Sequence, residues 1–188
     1  MAAGLGHAPH VQAHTWRQRG PALTGGMTDN APNPGPAIDI STLGIRPAAQ
    51  ADIPAITTLL HELGYPSNTD EDVSTRLTRW SGHDDLLALV ATDGRHVLGV
   101  VALAVIPYFE RPGSWGRVVA LVVDSRTRGL GVGRRLLTAA EQAARDRGCV
   151  CVEISSARRR TGAHAFCRSA GYADRCGESA RFLKDLIP

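Results

Sequence analysis

The sequence predicts an α/β layer fold, a mixed central sheet flanked by helices, in the order β-α-α-β-β-β-α-β-α-β-β. Three observations carry this. Apolar runs of strand length recur at 86–92, 97–106, 117–124 and 150–156. Stretches with helical apolar spacing lie between them. The order does not alternate strictly, so the sheet is mixed rather than purely parallel.

Each element has a local reason. LGIRPA reads as a short first strand. Asp52 is placed to cap a helix with Pro54 in its first turn, and Ile53, Ile56, Leu60 and Leu63 form its apolar stripe. After a loop from Gly64 to Thr69, residues Val73, Leu77 and Trp80 mark a second helix, ended by Ser81 and Gly82. LLALVAT and VLGVVALAVI pair around an Asp93-Gly94 turn, and Arg111-Pro112-Gly113 turns the chain into the strand 117–124. A helix over 132–147 turns Leu136, Leu137, Ala140 and Ala144 inward and stops at Gly148. VCVEISS is a buried strand, with Cys149 and Cys151 side by side on one face. Ala163, Phe166, Cys167 and Ala170 give a last helix ended by Gly171, and Tyr172 and Arg181 to Leu186 supply closing strands.

Residues 1–42 are rich in Gly, Pro, Ala and His and have no apolar clusters. Such a segment cannot bury enough surface to offset its ordering entropy, so a disordered tail before one domain, 43–188, is expected. His7, His10 and His14 would suit a metal tract. The plainer reading is an idle tail, or a natural start at a later methionine such as Met27.

Over 188 residues the hydrophobic share is 43%, the charged share 21% and the net charge +3. Arg17 and Arg19 cancel Asp29 and Asp39, so the excess lies in the domain. It suits a small anionic ligand; a nucleic-acid surface would need a stronger basic face. Four cysteines in this length do not make a disulfide framework, and C-x-C is not a zinc spacing, so no metal is expected. The longest apolar run is about half a membrane span, and no secretory h-region is visible. A cytoplasmic protein without membrane or nucleic-acid partners is the expectation.

The most informative stretch is VVALVVDSRTRGLGVGRRLL, Val118 to Leu137. A P-loop needs G-x-x-x-x-G-K-[ST], but Arg134 stands five residues after Gly129 and the only lysine is Lys184. A dinucleotide fingerprint needs G-x-G-x-x-G and an acid about 20 positions on. Glu153 is suitably placed, yet Arg134 or Leu136 fills the third glycine slot. The remaining reading is R-x-x-G-x-G, Arg128 to Gly133, after a strand and opening a helix. Glycines let successive amides converge on one point, and the helix N-terminus adds partial positive charge. Arg134 and Arg135 are unfavourable in a first helical turn unless an anion is near, and Arg126 and Arg128 add to the cluster.

LVVDSRTRGLGVGRRLL resembles motif A of the GNAT superfamily of acyl-CoA-dependent N-acyltransferases. LLHELGYP, the strand pair, VCVEISSARRR, AHAFCRSAGY and a closing RFLKDL extend the resemblance over roughly 43–187. The resemblance implies acetyl-CoA as co-substrate. Leu121, Val122 and Val123 would bond the pantetheine arm in a gap beside the strand, and Arg128, Gly129, Leu130, Gly131, Val132, Gly133 and Arg134 would hold the pyrophosphate. An amine acceptor, metabolite or protein, would enter opposite, near His61, Glu62, Tyr65, Tyr108, Glu110 and Glu178. Asp70, Glu71 and Asp72 read instead as a helix start. A homodimer is left open. Many relatives carry a glutamate on the strand before motif A, where this chain has Val118, Val119 and Ala120, so Glu110 is the candidate base. Where relatives carry F-Y-x-x-x-G-[FY], Cys167 occupies the tyrosine's general-acid slot. Two functions stay open, an N-acetyltransferase and an acyl-CoA-binding sensor without turnover.

Overall fold

Strands β2 (Leu86–Thr92) and β3 (Val97–Pro107) form the expected hairpin. Gly94 takes φ 92°, and Asp93 Oδ1 accepts the Arg95 and His96 amides at 2.9 and 2.7 Å. The computed structural model describes residues 42–178, 180 and 182–186. Apart from Thr42, the tail and its three histidines lie outside the described residues.

With β1 (Gly44–Pro47), β4 (Ser114–Val123) and β5 (Cys149–Ile154), the hairpin builds a five-stranded sheet in chain order. Neighbours are antiparallel except β4 and β5, which run parallel with α3 (Val132–Asp146) between them. The sheet is mixed, as the element order required.

The two-residue period of the strands sorts the core into two layers. Leu89, Ala91, Val101, Leu103 and Val118 point to α3, whose Leu136, Leu137, Ala140 and Ala144 are buried against them. Val90, Val100 and Val122 point the other way, to α1 (Ile53–Leu63) and α2 (Asp70–Ser81). α4 (Thr161–Ser169) joins the α3 side through Phe166 and Ala170. Gly99 permits the closest approach: a Cβ there would stand 2.8 Å from the Val122 carbonyl and 2.9 Å from Leu136 Cδ1.

Three local readings change. Asp52 precedes α1 but makes no side-chain cap. It is buried, and Arg46 donates to its two oxygens at 2.6 and 2.8 Å while the Ala49 amide donates at 2.8 Å. Thr69 and Asp72 instead form a reciprocal cap on α2, which accounts for the acidic start of that helix.

Cys149 and Cys151 do not share a face. Ser114 pairs with Cys149 and Trp115 with Cys151, so Val150 is an extra residue. A bulge reverses the alternation from that point. Cys149, Val152 and Ile154 therefore pack on the α3 side, and Cys151 and Glu153 point to the other side.

The two closing strands do not form among the described residues. The Cys176 amide donates to Asp174 Oδ1 at 3.0 Å and the Glu178 amide to the Arg175 carbonyl at 3.0 Å. This turn chemistry competes with extended pairing. Phe182, Leu183 and Leu186 beyond it are exposed.

Candidate functional site

β4 pairs with β5 only as far as Val118 opposite Ile154, but stays paired with β3 through Val123. From Val119 onward its alternate peptide groups face a gap instead of a strand, and groups of that kind are obligatory hydrogen-bonding sites. A second bulge lies at the start of the gap. Leu103 pairs with Val118 and Ala102 with Ala120, which leaves Val119 extra and 49% exposed. Leu121 and Val123 pack toward α3 and Val122 toward α1, so the side chains serve the core while the backbone edge is offered.

The gap runs directly into the glycine turn. Asp124 anchors it: its amide donates to the Leu98 carbonyl at 2.9 Å. Its buried carboxylate accepts Arg126 Nη2 at 2.6 Å and the Arg126 amide at 2.9 Å. Those bonds, the guanidinium's first, hold the carboxyl below the usual range. Buried Thr127 donates to the Asp124 carbonyl at 3.1 Å, closing a 3-10 turn over Ser125–Thr127.

Gly129 and Gly131 then take φ 81° and 86°, a left-handed conformation that glycine adopts without penalty. A Cβ at either would meet nothing within 4 Å, so the angle, not the space, calls for glycine. Gly131 is the N-cap of α3. The amides of Val132, Gly133 and Arg134 therefore have no intrahelical acceptor and carry the positive end of the helix dipole. Such a concavity is an anion site in the making.

The arginines around the turn also have partners within the protein. Arg126 is held by Asp124, and Arg128 donates to Glu62 at 3.1 Å and to the Val123 carbonyl at 3.3 Å. Arg134 donates to the Ser169 carbonyl at 2.7 Å, and Arg135 to the Leu43 carbonyl at 3.2 Å. They staple the turn and the start of α3 to α1, to α4 and to Leu43, the residue before β1. Arg126 and Arg128 stay more than half exposed, so they also supply positive field at the rim.

The residues expected on the acceptor side each have their own surroundings. Glu62 belongs to the turn, its Oε2 accepting the Ser125 amide at 2.9 Å as well as Arg128. His61 Nε2 lies 2.8 Å from the Asn68 carbonyl, and Tyr65 is exposed. Glu178 pairs with Arg175. Glu110 lies in the β3–β4 connection, 69% exposed and 3.9 Å from Arg111 Nε. Tyr108 comes to β5, its hydroxyl 3.2 Å from Cys151 Sγ and its ring 3.9 Å below the Arg111 guanidinium. Trp115, Arg117, Cys151 and Glu153 join it on the sheet face away from α3. Arg117 Nη1 donates to Glu153 Oε1 at 2.9 Å. Sequence reasoning missed this pair, because only the bulge at Val150 turns Glu153 to that face.

Cys167 is half-buried on α4, and burial pushes its thiol up. Tyr172 offers no alternative acid. Its hydroxyl donates to Glu141 Oε1 at 2.9 Å, and burial followed by that bond raises it well above an ordinary phenol.

The acetyltransferase (GNAT) family model matches residues 53–172. A glucosamine 6-phosphate N-acetyltransferase of Oryza sativa subsp. japonica is 35% identical over 129 residues, covering 65% of this chain and 78% of the relative. The fold is similar to that of a glucosamine-6-phosphate N-acetyltransferase from Arabidopsis thaliana, with TM-score 0.65, 24% identity, and coverage of 78% of this chain and 99% of the other. An aminoglycoside N-acetyltransferase solved in complex with CoA gives TM-score 0.68 at 16% identity, covering 77% of this chain and 95% of the other. With the family model spanning well over half of its length, the chain belongs to the GNAT family of acetyltransferases.

Proposed function

We propose that the protein transfers the acetyl group of acetyl-CoA to a primary amine, by direct attack within a ternary complex. One observation carries the reading: the unpaired edge of β4 is continuous with the amide concavity at Gly129–Arg134. On this reading the edge at Leu121, Val122 and Val123 receives the amide-rich pantetheine arm. The turn from Arg128 to Arg134 receives the pyrophosphate, mostly through backbone amides.

The amine nitrogen attacks the thioester carbonyl, its proton leaves, and the C–S bond breaks to release CoA. Positioning and a backbone N–H near Val122 or Val123 for the developing oxyanion make the largest contributions. Cys167 occupies the slot of the acid that protonates the departing thiolate, and Glu110 is the base candidate that the sequence offers. The reaction takes place in the cytoplasm, on a metabolite or a protein amine. Glucosamine 6-phosphate and aminoglycosides, named for the relatives, are the first amines to try.

A sensor that binds acyl-CoA without turnover is the second reading. It is favoured by the apolar Val118-Val119-Ala120 on β4 and by the thiol at 167. Thiol release from acetyl-CoA across an amine panel separates the two. Amine-stimulated release supports transfer, and binding with no release under any amine supports the sensor. The motif is tested by Gly131→Asp, whose carboxylate would face phosphates from a roomy position. Calorimetric affinity for acetyl-CoA should fall by about tenfold or more, and unchanged affinity in a folded variant would remove the assignment.

A further inference from the structure

We infer that Glu153, positioned by Arg117, is the carboxylate that takes the proton from the attacking amine; this rests on the acetyl-transfer reading above. The placement comes from register. Arg117 pairs with Glu153 one step before Val118 pairs with Ile154, where β4 and β5 part. A donor bound with its phosphates at the turn after Val123, and its arm along the β4 edge, runs back toward Val119 over about 13 Å of strand. Its reactive end then arrives where β5 closes the gap, beside Glu153.

The face is right as well. α3 covers one side of the sheet, while α1 and α2 cover the other side over β2, β3 and the Val122 end of β4. The stretch of that second side carrying Trp115, Arg117, Cys151 and Glu153 lies beside those helices, and the Glu153 side chain is 47% exposed. An amine can reach it from solvent while the donor arm occupies the gap.

The chemistry singles out the residue. Glu153 is the only Asp or Glu within the five strands of the described sheet. Arg117 Nη1 donates to Oε1, and Arg117 Nη2 reaches Ser155 Oγ at 3.4 Å, so the guanidinium is fixed from two sides. The second oxygen, Oε2, can accept from an amine. Glu110, at the tip of the β3–β4 connection, has only a 3.9 Å ion pair to orient it.

In the step itself, Oε2 takes a proton from the ammonium form of the amine, directly or through one water. The freed lone pair forms the N–C bond to the thioester carbonyl carbon, and the nitrogen then loses its surplus proton to solvent. The C–S bond breaks, its electron pair leaves on the CoA sulfur, and that thiolate takes a proton from solvent or from the carboxyl. No redox change is involved.

The test uses the full chain with acetyl-CoA and glucosamine 6-phosphate, or the most active amine of the panel. Glu153→Gln should lower kcat by about 100-fold, the scale of general-base catalysis, with calorimetric acetyl-CoA affinity within about twofold of wild type. The loss should shrink as pH rises and free amine replaces ammonium, and Glu153→Asp should recover part of the rate. A merely structural role would lower the rate equally at every pH. A loss under about threefold, a pH-independent loss, or a larger loss in Glu110→Gln than in Glu153→Gln would overturn the assignment. An active wild type with an undiminished Glu153→Gln overturns Glu153 alone; a wild type that releases no thiol with any amine overturns the transfer reading too.

Discussion

A thiol stands at position 167 where many relatives have a phenol, and its surroundings weaken it as an acid. An ordinary thiol near pKa 8.5 would be a stronger acid than a phenol near about 10. Burial on α4 pushes Cys167 upward and narrows that advantage. The departing thiolate can take its proton from water or from the amine, so the side chain counts mainly as packing. Cys167→Ala should lower kcat by less than about tenfold, and Cys167→Tyr should be tolerated or activating. A loss beyond about a hundredfold in Cys167→Ala, with acetyl-CoA affinity intact, would make the thiol catalytic. Asp52 has a different task. The Arg46 guanidinium, aided by the Ala49 amide, holds its buried carboxyl below the usual range. A depressed folded pKa contributes stability that is present above the unfolded value of about 3.9 and is lost as pH falls through the folded value. Asp52→Asn should cost about 2 kcal/mol at neutral pH, and the gap between the two proteins in urea melts should close under strong acid. A gap constant with pH would show that the ion pair is not its source.

Between elements, Glu62 is the joint. The last turn of α1 meets the glycine turn through one oxygen, which accepts the Ser125 amide and the Arg128 guanidinium. α1 carries the wall on which the acceptor is expected, and the turn carries the donor phosphates. Tether and charge make opposite predictions here. Glu62→Gln keeps an acceptor oxygen for the Ser125 amide and removes a negative charge beside the anion site, so acetyl-CoA should bind as well as before or better. Glu62→Ala removes the tether, and KM for acetyl-CoA should rise about tenfold with kcat within about threefold, the scale of a charge-assisted hydrogen bond. Equal affinity in all three proteins would mean that the joint does not position the turn.

At the scale of the molecule, the described sheet, its two cores and the site lie within residues 43–172. A chain starting near Ile40 should therefore keep its melting temperature and acetyl-CoA affinity, measured by scanning and titration calorimetry. A large loss of either would show that the first 39 residues belong to the working domain. Local features were legible in the order of residues alone. Apolar periods of two and 3.6 residues placed the four helices and five strands of the described residues to within a few positions, because burial repeats with the backbone. Alternating glycines announced the turn at 129–133, because positive φ costs little only there. Tertiary pairing decided the rest. The bulge at Val150 turns Cys151 and Glu153 to the face opposite Cys149, and a one-residue slip of this kind depends on a partner strand 35 residues away in the chain. The arginines around the turn were legible as charge, but their partners Glu62, Ser169 and Leu43 are distant in sequence and meet them only after the layers pack. Among the described residues the closing strands do not form, for a related reason: extended pairing needs a neighbour, whereas the turn bonds of 174–178 need only the adjacent residues.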